Sequence, residues 1–128
     1  MRLLLDTHIP IWAVTEPDRL KPSLRDAILS PRTTVLVSAA TAWEIAIKRA
    51  LGRLTFPLDR YDAVLEETGF EQLPMTATHA IEAGGLPRHH NDPFDRMLVV
   101  QARTDDLLLA SDNPLLAAYD VRLFAARR

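Results

Sequence analysis

Arg2-Leu3-Leu4-Leu5-Asp6-Thr7-His8 is the stretch on which the fold turns. Three consecutive leucines broken by three polar residues are too short a run for a helix and fit a buried strand that ends at Asp6. The chain beyond it repeats the alternation. A helix is expected from about Ile9 to Val14, with Pro10 tolerated in its first turn, and a second over Pro22–Leu29, with Leu24, Ile28 and Leu20 on one face and Pro31 as its stop. Thr34–Val37 follows as a β-branched strand. Ser38 or Thr41 can cap a helix over Ala39–Leu51, where Ala42, Ile45, Ala46 and Ala50 recur at helical spacing and Gly52 ends the pattern.

The second half reads the same way. A helix over Asp59–Thr68 stops at Gly69 and leads to a strand over Phe70–Leu73, then a short helix over Thr76–Ala83. Asp92-Pro93-Phe94-Asp95 sets a capping acid, a first-turn proline and a further acid in the order that starts a helix, which should run to about Thr104. Strands over Leu107–Ala110 and Val121–Phe124 flank another capped turn at Ser111-Asp112-Asn113-Pro114, and a basic tail closes the chain. Strands alternating with helices predict a three-layer α/β/α domain with a parallel sheet of four to five strands, because parallel neighbours need crossovers. Sites in such folds lie beyond the carboxyl ends of the strands, near the switch in strand order.

At 128 residues, 48% of them hydrophobic and 25% charged, the chain is expected to form one soluble domain spanning residues 1–128. No run is long enough to cross a bilayer, and Asp6 interrupts any signal-peptide core. The absence of cysteine excludes disulfides and thiolate zinc sites and suits a reducing cytoplasm. Fifteen Lys and Arg against 17 Asp and Glu give a net charge of −2, which lacks the basic footprint usual for nucleic-acid binding. A metal site holding several of those acids would reverse the local field.

Asp6 and Asp112 follow strands at the functional edge. Either has an ordinary structural use, as a turn or helix cap. Glu44 has Lys48 four residues on, the favoured spacing for a surface ion pair, but its place between Trp43 and Ile45 would equally set it at the margin of the core, and periodicity does not decide between the two. Asp95 shares a helix face with Asp92; Asp92 is the natural cap, which leaves Asp95 as the ligand and Asp92 as its neighbour or substitute. Four converging carboxylates would repel one another unless a cation were present. With oxygen ligands and no thiols, Mg2+ fits best and Mn2+ next. Thr7 and Ser111, each beside one of these acids, are placed to orient a carboxylate.

Four segments together resemble the PIN-domain family and, within it, VapC-type toxins of toxin–antitoxin pairs. They are Leu3-Leu4-Leu5-Asp6-Thr7-His8; Ser38 through Trp43-Glu44-Ile45 and Lys48 to Gly52-Arg53-Leu54; His90-Asn91-Asp92-Pro93-Phe94-Asp95-Arg96 with Gln101-Ala102; and Leu109-Ala110-Ser111-Asp112. The resemblance implies a metal-dependent endoribonuclease with Asp6, Glu44, Asp95 and Asp112 at the family's acidic positions. It also implies a homodimer neutralised by a cognate antitoxin. One departure is Ser111, where many relatives carry threonine or asparagine before the acid.

An RNA substrate needs cations near the site, and Lys48, Arg49, Arg53, Arg88 and Arg96 lie in or near the framing segments. Each also serves as an ordinary solvated charge. His89 and His90 are expected as loop residues, and Trp12 and Trp43 as core or interface. Two rivals share the fold class. A receiver-like Mg2+-binding signalling domain needs paired acids after the first strand and a late lysine, whereas Asp6 is followed by Thr7-His8. A dehalogenase-like phosphatase needs a second aspartate at position 8. A catalytically silent PIN-fold binding module is the third alternative, and the presence of all four acids speaks against it.

Overall fold

A computed structural model describes residues 1–125. The order of elements is β1 (Arg2–Leu5), α1 (His8–Thr15), α2 (Pro22–Leu29), β2 (Thr34–Ser38), α3 (Ala39–Ala50), α4 (Tyr61–Thr68), β3 (Glu71–Leu73), α5 (Ala77–Gly84), α6 (Pro93–Thr104), β4 (Leu108–Ser111) and β5 (Leu123–Ala125). Single 3-10 turns at Pro17–Arg19, Leu58–Arg60 and Pro114–Ala118 join them. The expected elements are all present, with ends shifted by a residue or two, except that Leu58–Arg60 opens the fourth helix as a 3-10 turn and the segment after Asn113 is 3-10 rather than α. The basic tail at Arg127–Arg128 lies outside the described residues.

All five strands are parallel, in the order β3-β2-β1-β4-β5. The leucine run therefore occupies the centre. From β1 the chain steps outward through β2 to β3, then returns to lay β4 against the other side of β1. The switch point is thus the β1/β4 crevice, where Leu5 pairs with Ala110 and the Asp6 amide still donates to the Ala110 carbonyl at 3.0 Å.

The alternation of side chains along β1 divides the core. Leu3 and Leu5 join Ile9, Trp12, Leu24, Val35, Val37, Ile45, Val64 and Leu65 on one face. Leu4 joins Leu36, Leu98, Val99, Leu107, Leu109 and Leu116 on the other. All three leucines are fully buried, and each contributes about 1.5–3 kcal/mol of burial free energy. Together with helices on both faces, this makes the three-layer α/β/α arrangement. Among the described residues, no helix is long and apolar enough to cross a membrane.

α3 departs from its expected phase. Its buried positions are Ala40, Thr41, Glu44 and Ile45, whereas Ala46 and Ala50 are exposed. Alanine favours a helix on any face and so is a poor marker of the inward stripe. The consequence is functional, because the true stripe carries Glu44 inward.

Candidate active site

The candidate site stands on the carboxyl ends of β1 and β4, the first half of α3 and the first turn of α6. Asp6 follows β1 directly and is 9% exposed. Its Oδ1 accepts the Thr7 amide at 2.7 Å and its Oδ2 accepts the Ser111 hydroxyl at 2.7 Å. The Ser111 oxygen in turn accepts the Asn113 amide at 3.1 Å, and the Asn113 side chain donates to Asp95 Oδ2 at 3.2 Å. Two acids almost ninety positions apart in sequence are thereby tied into one array. On the other side, the Thr7 hydroxyl donates to Glu44 Oε1, while Glu44 Oε2 meets Lys48 Nζ at 2.8 Å. Glu44 thus uses both alternatives open to it, an ion pair with Lys48 and a place among buried polar groups, at 6% exposure.

α6 begins as its sequence requires. Asp92 caps it by accepting the Phe94 amide at 2.8 Å and the Asp95 amide at 3.2 Å, and Pro93 fills a first-turn position where no amide hydrogen is needed. Asp95 is left facing the crevice. Its Oδ2 also meets His90 Nε2 at 2.7 Å. One ligand atom from each of His90, Asp92 and Asp95 lies within 4.8 Å of the others, a grouping compatible with a metal ion. His90 and Asn113 are the residues that sequence reasoning missed. The signal for His90 was its place just before the capping motif; Asn113, which also caps the turn at Pro114 through Leu115, gave none beyond its neighbour Ser111.

Asp112 is exposed, and the bonds from the end of β4 to Asp6 and Asp95 come from Ser111 and Asn113 on either side of it. Three of the four expected acids are therefore joined through Thr7, Ser111 and Asn113, and the fourth borders them.

The electrostatics of the array are unbalanced. Burial pushes the Asp6 carboxyl upward, against the lowering effect of its Ser111 and Thr7 hydrogen bonds, and the negative charge of Glu44 adds to the rise. Asp95 is raised to about 6, first by burial and then by the charge of Asp6, despite its bond to His90. Crowded carboxylates that resist ionisation are a site whose charge a divalent cation would resolve. The all-oxygen set with one imidazole at its edge suits the Mg2+ and Mn2+ class.

The expected phosphate contacts divide. Arg49, Arg53 and Arg88 are exposed, and Lys48 is held by Glu44. Arg96 is engaged within the fold. Its two terminal nitrogens donate to the carbonyls of Ala83, Leu86, Pro87 and His90 at 2.9–3.1 Å and to the Tyr119 hydroxyl at 3.3 Å, so it ties down the loop before α6. Trp12 is buried, as expected of a core residue, and Trp43 is 58% exposed, its ring packed edge-on with Phe94.

Solved structures with the same fold include VapBC2 from Rickettsia felis bound to a DNA fragment from its promoter, at 16% identity and a TM-score of 0.70, covering 98% of this chain and 99% of that one. DNA-bound VapBC from Salmonella typhimurium matches at 20% identity and a TM-score of 0.67, covering 97% of each chain. FitAcB from Neisseria gonorrhoeae matches at 23% identity and a TM-score of 0.62, covering 96% of each. A search of curated proteins finds no match. The PIN domain family model matches residues 3–121, and with a five-stranded parallel sheet carrying its acids at the β1/β4 switch point, the chain belongs to the PIN domain family.

Proposed function

We propose that this protein is a metal-dependent endoribonuclease acting as the toxin of a toxin–antitoxin pair. The observation that carries the proposal is the array Asp6–Ser111–Asn113–Asp95, joined through Thr7 to Glu44, at the sheet's switch point. Asp6, Glu44, Asp95 and Asp112 would hold Mg2+, with Mn2+ as an alternative, and Asp92 would support them as the helix cap. A divalent cation there supplies activation of an attacking water and stabilisation of the leaving oxygen of a phosphodiester. The chain's own groups do the rest: Ser111 and Thr7 hold the carboxylates in fixed orientations, Lys48 neutralises the outer oxygen of Glu44, and the apolar floor of β1 and β4 excludes bulk water.

The toxin role is supported by likeness of fold to VapBC and FitAcB structures. A cognate antitoxin, a homodimer and a cytoplasmic setting belong to the same proposal. The test is cleavage of single-stranded RNA by the purified protein in Mg2+. Cleavage should stop on addition of EDTA, return with excess Mg2+, and fall at least about a hundredfold in Asp6→Asn. Undiminished cleavage in EDTA or by that variant would remove the mechanism.

A further inference from the structure

Beside the acid array, on the side of Glu44 and Lys48, lies an open groove of about 570 Å3 lined by residues of α1, the 3-10 turn after it, the end of α3 and the loop that follows. Its volume is in the range of small-ligand sites. Four of its lining residues are basic or imidazole side chains, His8, Arg19, Lys48 and Arg53, and Glu16 is the one acid among them. Glu16 is paired with Arg19 at 3.1 Å. Lys48 is likewise paired, with Glu44 at 2.8 Å, so among the described residues the charge in the groove not offset by a neighbouring acid is that of Arg53.

The groove also has an aromatic wall of fixed orientation. The His8 ring stacks on Trp12, centroids 5.6 Å apart and planes 22° from parallel, while the Arg19 guanidinium sits 4.7 Å from the Trp12 centroid. Trp12 is buried and His8 exposed, so the indole sets the plane of an imidazole that borders solvent. The Arg53 side chain has no hydrogen bond or ion pair among the described residues, although its backbone amide is anchored to the Lys48 carbonyl at 2.9 Å. A flat ring of fixed orientation beside an uncommitted guanidinium is the combination that seats a base and its phosphate. The groove adjoins the acids directly: His8 follows Thr7, which bonds to Glu44, and Lys48 bridges the two regions.

We propose that this groove binds a nucleotide of single-stranded RNA flanking the scissile phosphate, with Arg53 on the phosphate backbone and His8, held against Trp12, stacked on a base; the assignment of the flanking phosphate rests on the nuclease reading above. The experiment measures binding of a fluorescein-labelled single-stranded RNA to the intact protein in EDTA, where cleavage is not required, across a series of salt concentrations. His8→Ala should weaken binding about five- to tenfold, and His8→Phe should restore most of it. Arg53→Gln should weaken binding severalfold and reduce the salt slope by about 0.7. Arg103→Gln, on the far end of α6, should bind as the parent does. Melting curves of the four variants, all at exposed positions, check that each is folded.

If the parent cleaves RNA while His8→Ala and Arg53→Gln bind and cleave as it does, the groove proposal falls and the nuclease reading stands. If the parent cleaves nothing in any divalent ion but these variants lose RNA binding, the groove stands and the nuclease reading falls. If polyglutamate displaces the RNA at equal charge concentration and His8→Ala is without effect, the groove is a general anion or acidic-peptide surface and the proposal is overturned.

Discussion

Asp95 and Arg96 are neighbours in the first turn of α6, and the two surroundings they face follow opposite electrostatic plans. Arg96 donates through both terminal nitrogens to four backbone carbonyls and a tyrosine hydroxyl, all of them neutral partners. Asp95 faces Asp6 across a bridge of two polar side chains, and burial and like charge hold its carboxyl at about 6. One region is finished by folding alone. The other keeps acids crowded at the switch point with a carboxyl pushed well above its ordinary value, the feature by which candidate sites are recognised.

The largest expected effect lies on the Arg96 side. Arg96→Ala leaves the carbonyls of Ala83, Leu86, Pro87 and His90 without their shared donor and should cost about 2–4 kcal/mol in urea denaturation. Arg96→Lys should recover less than half of that, since an ammonium cannot span the same fork. If Arg96→Ala proved neutral, the contrast between the two regions would lose its structural half.

A smaller effect of opposite sign is expected from Asp95→Asn. The folded carboxyl titrates near 6 and its ordinary value is 3.8, so the folded state holds the proton more tightly. In metal-free protein this group's contribution is therefore most favourable at low pH and is lost as pH rises from about 4 through 6. At pH 7.5 the ionised side chain is a burden, and the variant should be more stable than the parent by about 1–2 kcal/mol in EDTA, with the gain vanishing near pH 4. Mg2+ at pH 7.5 should raise the melting temperature of the parent and leave the variant unchanged. A destabilised Asp95→Asn in EDTA would mean that the carboxylate serves the fold, and the comparison would collapse.

The smallest effect separates Asp92 from Asp95. Asp92→Ala should cost about 1 kcal/mol through loss of the cap while retaining RNA cleavage within about tenfold of the parent. A dead Asp92→Ala that melts normally would move the ligand role from Asp95 to Asp92.

Much of this molecule was legible along the chain. The strand at Arg2–Leu5, the cap-proline-acid start of α6 and the alternation that makes a parallel sheet are local patterns, and local patterns survive folding. Glu44 was obscured because the alanines around it mark no face, and α3 turned out to be rotated so that Thr41, Glu44 and Ile45 point inward. His90 looked like an ordinary loop residue because nothing in a dipeptide of histidines says which of them meets an aspartate; His89 instead meets the edge of Tyr119. Arg96 is the opposite case. A cation beside an acidic motif suggests phosphate, but the loop that folds back over it supplies carbonyls closer at hand.

The sequence by itself determined which segments are strands and helices, where each helix starts, and that acids stand at strand ends, because capping, periodicity and proline geometry act over a few residues. Only the tertiary structure decided which of those acids meet. Ser111 reaches Asp6 across 105 positions of sequence, a contact set by the sheet order that lays β4 against β1 and by the phase at which α3 and α6 pack on it. Strand order and helix phase come from the packing of the whole core, and neither leaves a mark in the residues immediately around an aspartate.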